Sequence, residues 1–222
     1  MSIEDNLRLV RKRIEKAALK TNRDPASIKL VAITKEVTPP EIIEAINAGI
    51  DIIGENKIQE AERKYSHITH EGVEWHLVGH LQRNKVKRAI RIFNLIHSVD
   101  SLRLAQEINL RAEEIGRQQR ILIQVNTSGE EQKFGFSVTE VKEAVEEITK
   151  LPFIKIEGLM TIAPLVDNPE EVRPYFRKLA ELGRIFKLSI LSMGMTNDFE
   201  VAIEEGANMV RIGRAIFGKR LC

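Results

Sequence analysis

The chain has 222 residues, 43% hydrophobic and 30% charged, enough to bury one sizeable core and short for two domains. Lys and Arg number 34 against 32 Asp and Glu, a net charge of +2, which gives no general reason to bind nucleic acid. No apolar run approaches the roughly 20 residues that cross a bilayer, the acidic start Met1-Ser2-Ile3-Glu4-Asp5-Asn6 is no secretory signal, and the one cysteine, Cys222, has no partner in the chain; a cytoplasmic monomer with no membrane or nucleic acid partner is expected.

A first helix is predicted over 3–21, with Leu7, Val10, Ile14 and Ala17-Ala18 on one face. An apolar strand over 30–34 follows and closes on a lone lysine, Lys35. Thr38 is a good N-cap, Pro39 suits the first helical position and Glu41 can close a capping box, so a helix starts at once. Further strands are predicted over 50–54, 75–79, 95–99, 121–126, 154–161, 190–195 and 209–213. Helical segments over 41–48, 57–65, 83–90, 102–115, 138–149, 170–186 and 199–205 lie between them. Strands this evenly apolar are parallel and buried on both faces.

The run Ala45-Ile46-Asn47-Ala48-Gly49-Ile50-Asp51-Ile52-Ile53 resembles Ala202-Ile203-Glu204-Glu205-Gly206-Ala207-Asn208-Met209-Val210. In each, a helix ends on a glycine in the left-handed cap position and a strand follows. Eight right-handed βα units in one chain close most simply into a single (β/α)8 barrel domain over 1–222, with an extra N-terminal helix. The alternative, an open doubly wound sheet, would carry a Gly-x-Gly-x-x-Gly turn if it bound a dinucleotide, and none is present. Arg83, Lys85, Lys87, Arg88 and Arg91 form a local basic cluster that reads as a solvated helix face. With 5% aromatic residues there is little to stack on bases.

Barrels place function at the carboxyl ends of their strands. Those positions here are Lys35, Glu55-Asn56, Gly79-His80, Asp100, Asn126-Thr127-Ser128, Thr161, Ser192-Met193 and Arg211 to Arg214. Taken alone, Lys35 could simply snorkel out of its strand end. Desolvated there, its amine could condense with an aldehyde. Gly213 lets the backbone approach a ligand, the following helical turn offers free N–H groups to an anion, and Thr196-Asn197 adds donors. A ligand with a phosphate at one end and an aldehyde at the other fits this set, as pyridoxal 5′-phosphate (PLP) does. The histidine pairs His67/His70 and His76/His80 do not have chelate geometry, so no metal is expected. The aromatic residues Trp75, Phe134, Phe136, Phe153 and Phe217 read as packing. The loop over 126–135 is either a lid or a plain connection.

Several stretches closely resemble the PLP homeostasis (PLP-binding) protein family, whose fold is like the barrel domain of alanine racemase. They are Val31-Ala32-Ile33-Thr34-Lys35, Gly54-Glu55-Asn56-Lys57-Ile58-Gln59-Glu60 and Trp75-His76-Leu77-Val78-Gly79-His80-Leu81-Gln82-Arg83-Asn84-Lys85. Gly158-Leu159-Met160-Thr161-Ile162-Ala163-Pro164, Ser192-Met193-Gly194-Met195-Thr196-Asn197-Asp198 and the run from Val210 to Gly218 continue the match. Thr196 departs from the serine more usual there and keeps the hydroxyl. The resemblance implies that Lys35 holds PLP as a Schiff base and that Arg211 faces the pyridine nitrogen. It also implies that Ser192, Thr196 and the backbone of Gly213 and Arg214 form the phosphate cradle, that Met193 belongs to the cofactor-binding set, and that Asn56 and His80 lie near the cofactor. The implied role is to buffer or deliver PLP, with PLP-dependent apoenzymes as partners, and so to maintain vitamin B6 and amino-acid balance. A cation at the ring nitrogen disfavours ring protonation and weakens the electron sink. The chain ends just after its eighth βα unit, without the racemase's second domain, so little or no turnover is expected. The alternatives are a racemase-like PLP enzyme and a regulatory adaptor governed by PLP occupancy.

Overall fold

The computed structural model describes residues 1–218; Cys222 lies outside the described residues. Eight strands form the barrel: β1 (Lys29–Ile33), β2 (Ile52–Glu55), β3 (Glu74–Leu77), β4 (Leu95–Val99), β5 (Gln119–Asn126), β7 (Ile154–Met160), β8 (Ile190–Ser192) and β9 (Met209–Ile212). Every neighbouring pair is parallel. β9 returns to β1 in the register Lys29↔Met209 to Ala32↔Ile212, and β4 pairs with β5, so the sheet closes on itself. The two-residue β6 (Phe136–Ser137) adds to β5 outside the ring through Val125↔Phe136. It is too short to leave a periodic signal in the sequence.

Alternation along each strand divides the apolar residues into two layers. Val31, Ile52, Leu95, Leu122, Met160 and Met209 fill the barrel interior. Ala32, Ile53, Leu77, Ile96, Ile123, Leu159 and Val210 face outward under the helices. Each fully buried aliphatic side chain contributes roughly 1.5–3 kcal/mol. Both layers are needed to make parallel strands stable on two faces.

The surrounding helices are α1 (Ile3–Lys20), α2 (Pro39–Asn47), α3 (Ile58–Tyr65), α4 (Val86–Ile92), α5 (Leu102–Glu114), α6 (Val141–Thr149), α7 (Arg173–Phe186), α8 (Phe199–Glu204) and α9 (Arg214–Phe217). The predicted stripe of α1 is buried, and the helix is tied across the barrel exterior. Asn6 donates to the Ile216 carbonyl at 2.9 Å, and Arg13 pairs with Glu200 while its guanidinium lies 4.6 Å from the Phe199 ring centre. The Glu41 carboxylate accepts from both the N–H and the hydroxyl of Thr38, with Pro39 opening α2. Gly49 and Gly206 take the left-handed caps that the internal repeat predicts.

Several predicted boundaries move inward. Residues Arg83–Lys85 and Pro169–Val172 are 3-10 turns ahead of α4 and α7. The strand predicted over 190–195 stops at Ser192. Gly194 there has φ +91°, and a Cβ on it would lie 2.6 Å from that of Ala202 and 2.8 Å from Phe199 Cα. A glycine at this sharp turn lets the chain fold tightly onto α8.

Candidate functional site

A cleft of about 460 Å³ opens at the carboxyl-terminal mouth of the barrel, the size of a small-molecule site. Lys35, Asn56, Thr196, Arg211, Gly213 and Arg214 all line it, from the ends of β1, β2, β8 and β9. Opposite them, Ile162, Pro164, Leu165 and Val166 supply an apolar wall, with Lys133 and Asp198 completing the polar rim. Leu165 is 90% exposed.

Lys35 sits in the turn after β1, half-buried. No hydrogen bond or ion pair among the described residues engages its amine. Its neighbour in the network below is the reverse case. Lys64, buried on α3, donates to Glu55 and Glu60 at 2.7 Å each and to the Thr34 carbonyl. Glu55 also accepts from the Thr34 hydroxyl at 2.7 Å, and Glu60 accepts from the Glu36 N–H. Burial pushes the Glu55 carboxyl above its ordinary range, opposed by Lys64. This buried cluster clamps both ends of the turn that carries Lys35.

Arg211 is 4% exposed and donates to Ser192 Oγ at 2.7 Å and to the Thr161 carbonyl at 2.8 Å. Burial draws its guanidinium down to about 10, so it remains a cation at neutral pH. Asp198 is buried close by, its carboxyl raised by desolvation, and accepts from the Met195 N–H in the turn that presents Thr196. Asn56, also lining the cleft, has a buried amide oxygen with no hydrogen-bond partner among the described residues.

Three expected residues stand elsewhere. Ser192 is fully buried, and its hydroxyl is committed to Arg211 and His97 rather than open to the cleft. Met193 is fully buried in the core and gives its N–H to the Met209 carbonyl. His80 is turned out to solvent: its Nδ1 lies 2.9 Å from Asp100, and its ring stacks on Phe134 at 4.0 Å. Phe134 is correspondingly 56% exposed instead of packed in the core. Side chains just past a strand end follow the loop, and no longer the inward and outward alternation of the sheet.

The sequence reading missed Lys64, Lys133 and Asp198, and it also missed two inward histidines. His76 and His97 are fully buried inside the barrel. A signal was present: each is a polar residue inside an apolar strand, Trp75-His76-Leu77 and Leu95-Ile96-His97.

Against known proteins, the family described as alanine racemase, N-terminal domain, matches residues 2–220. The pyridoxal phosphate homeostasis protein of Aquifex aeolicus is 46% identical over 99% of both chains, and that of Escherichia coli K12 is 38% identical over 98% of this chain and 97% of its own. The chain belongs to the pyridoxal phosphate homeostasis protein family. Family resemblance extends to solved structures: PipY of Synechococcus elongatus with PLP bound superposes with TM-score 0.83 at 33% identity, covering 98% of this chain and 100% of that one. An alanine racemase of Clostridium difficile shares the barrel at TM-score 0.75 and 18% identity, with this chain covering 60% of its length. That likeness concerns fold alone.

Proposed function

We propose that the chain holds PLP in the cleft, covalently through Lys35, and hands it on to PLP-dependent apoenzymes with little turnover of its own. One observation carries the reading: a half-buried, unengaged lysine shares a cleft with a fully buried arginine and an unpaired amide oxygen. When bound, PLP supplies an aldehyde that condenses with a primary amine, releasing water, and a conjugated ring that withdraws electrons.

The residues present fit that group. Lys35 supplies the amine, and the Lys64 cluster holds its turn without competing for it. Asn56 offers its unpaired oxygen to a ligand hydroxyl. The side chains of Thr196 and Arg214 and the N–H groups of Arg214 and Ala215 suit a phosphate, whereas the N–H groups of Ile216 and Phe217 are already given to the Gly213 carbonyl. Ser192 serves that phosphate less well than expected, because its hydroxyl already holds Arg211. Arg211 can only donate, and as a cation it disfavours a proton on the ring nitrogen.

Racemisation needs acid/base groups on both faces of the cofactor. Among the described residues lining the cleft there is no tyrosine or histidine to oppose Lys35. A role in storing and delivering PLP, and through it in amino-acid balance, agrees with the names of the relatives and with PipY having been solved both with and without PLP.

Borohydride reduction of the PLP-loaded protein followed by peptide mass analysis tests the reading. One pyridoxyl group on Lys35, lost in Lys35→Ala with the fold retained, is the expected result. Labelling mainly on Lys57 or Lys133 would overturn it.

A further inference from the structure

A file of buried polar side chains runs through the barrel interior: Arg211, Ser192, His97 and His76, each 0–4% exposed. They are bonded end to end. Arg211 Nη1 lies 2.7 Å from Ser192 Oγ, Ser192 Oγ 2.9 Å from His97 Nδ1, His97 Nε2 3.0 Å from His76 Nδ1, and His76 Nε2 2.9 Å from Glu74 Oε2. Glu74 is half-buried at the amino-terminal mouth, held at 3.1 Å by Arg120, which also pairs with Glu157 at 2.8 Å.

Donor chemistry leaves one arrangement of hydrogens for this file. Glu74, an ionised carboxylate, can only accept, and with both imidazoles neutral this fixes every hydrogen back along the file: Arg211 donates to Ser192 Oγ, whose own hydrogen goes to His97 Nδ1. A neutral His97 then carries its hydrogen on Nε2 and donates to His76 Nδ1. His76 in turn carries its hydrogen on Nε2 and donates to Glu74, an ionised carboxylate that can only accept. Burial keeps both imidazoles below their ordinary range, with Arg120, Lys29 and Arg211 adding to the effect and Glu74 opposing it at His76. Glu74 is drawn down to about 2 by its bond from His76, with Arg120 assisting.

We propose that His97 and His76 are positioning residues for the cofactor's ring nitrogen, fixing Ser192 as an acceptor for Arg211 through a one-way hydrogen-bond chain that ends on Glu74 at the opposite mouth. This rests on the reading that Arg211 meets that nitrogen. A His97 bearing hydrogen on Nδ1 would donate to Ser192 Oγ, depriving the serine hydrogen of its acceptor and making Oγ share its lone pairs between His97 and Arg211, which would keep only its bond to the Thr161 carbonyl undisturbed. The chain thus makes the state of Arg211 depend on groups across the whole barrel, and Glu74 and Arg120 are where it meets solvent. Arg120 lines a second cavity there, of about 440 Å³.

Long-range proton–nitrogen NMR on the cofactor-free protein at neutral pH tests the chain directly. Both His76 and His97 should be neutral with hydrogen on Nε2; an imidazolium or an Nδ1–H tautomer at either overturns the proposal. In the PLP-loaded protein, His97→Phe removes the acceptor for Ser192, whereas the side-chain oxygen of His97→Asn replaces Nδ1. The Phe variant should weaken PLP binding about three- to tenfold and move the pH profile of the bound cofactor's absorbance, and the Asn variant should restore both. Glu74→Leu, at a half-buried end where folding is safer, should change the profile in the same sense, and Glu74→Gln should not. Wild-type affinity and pH profile in both His97→Phe and Glu74→Leu would overturn the proposal. Failure of the wild type to form an adduct on Lys35 would instead remove the carrier reading, and the tautomer measurement would still judge the chain.

Discussion

The two buried histidines should make the protein markedly acid-labile, in a window their burial defines. In the unfolded chain each titrates near 6.5, and in the native barrel both are held lower. Below pH 6.5 the unfolded chain therefore takes up protons that the native barrel refuses. Stability from this source is complete above that pH and is lost as the pH falls toward the depressed native values. Each refused proton lowers stability with a limiting slope of about 1.4 kcal/mol per pH unit, reached between the unfolded value and the depressed native one. Against the roughly 5–15 kcal/mol of a typical domain, such a slope from two histidines is readily measured. Glu55 and Asp198, raised by burial, act with the opposite sign at lower pH, nearer the ordinary carboxylate range. Urea unfolding of the cofactor-free protein between pH 8 and 5 measures the effect. His97→Phe should start less stable at pH 8 and then lose less stability than the wild type on the way to pH 5, because one proton-refusing group is gone. Identical pH dependence in the two proteins would refute the assignment of His97 as buried and neutral.

Lys64→Met should destabilise by about 3–5 kcal/mol, because it leaves the fully buried Glu55 carboxylate uncompensated, and thermal melts would show the loss relieved as the pH falls and Glu55, already raised by burial, is protonated. Thr196→Ala should weaken PLP binding about tenfold, the worth of one hydrogen bond to a charged phosphate, while Thr196→Ser keeps wild-type affinity by fluorescence titration. Deuterium exchange at the α-carbon of D- and L-alanine, followed by NMR, should be negligible; rapid exchange abolished by Lys35→Ala would establish an enzyme in place of a carrier.

Much of this protein could be read from local pattern. Apolar runs of strand length, helical periodicity between them and glycine caps such as Gly49 and Gly206 describe βα units whatever lies far away in the chain. Lys35 stood out for the same reason: the capping signal Thr38-Pro39-x-Glu41 marks where β1 has ended and α2 begins, so the lysine between them must lie at the barrel mouth. Arg211, Gly213 and Arg214 follow from the same logic at β9. What the sequence could not settle was which polar side chains meet. Ser192, His97 and His76 lie on three strands, and only the closed ring with its particular stagger turns all three inward and brings Ser192 and His76 within 3.0 Å of His97. His80 is expected near the cofactor at the end of its strand, yet past the end of β3 it lies against Phe134 and Asp100 instead. Burial along a strand is a property of neighbours one and two residues away. Contact across a barrel depends on strand order and register, which are set by the packing of the whole chain.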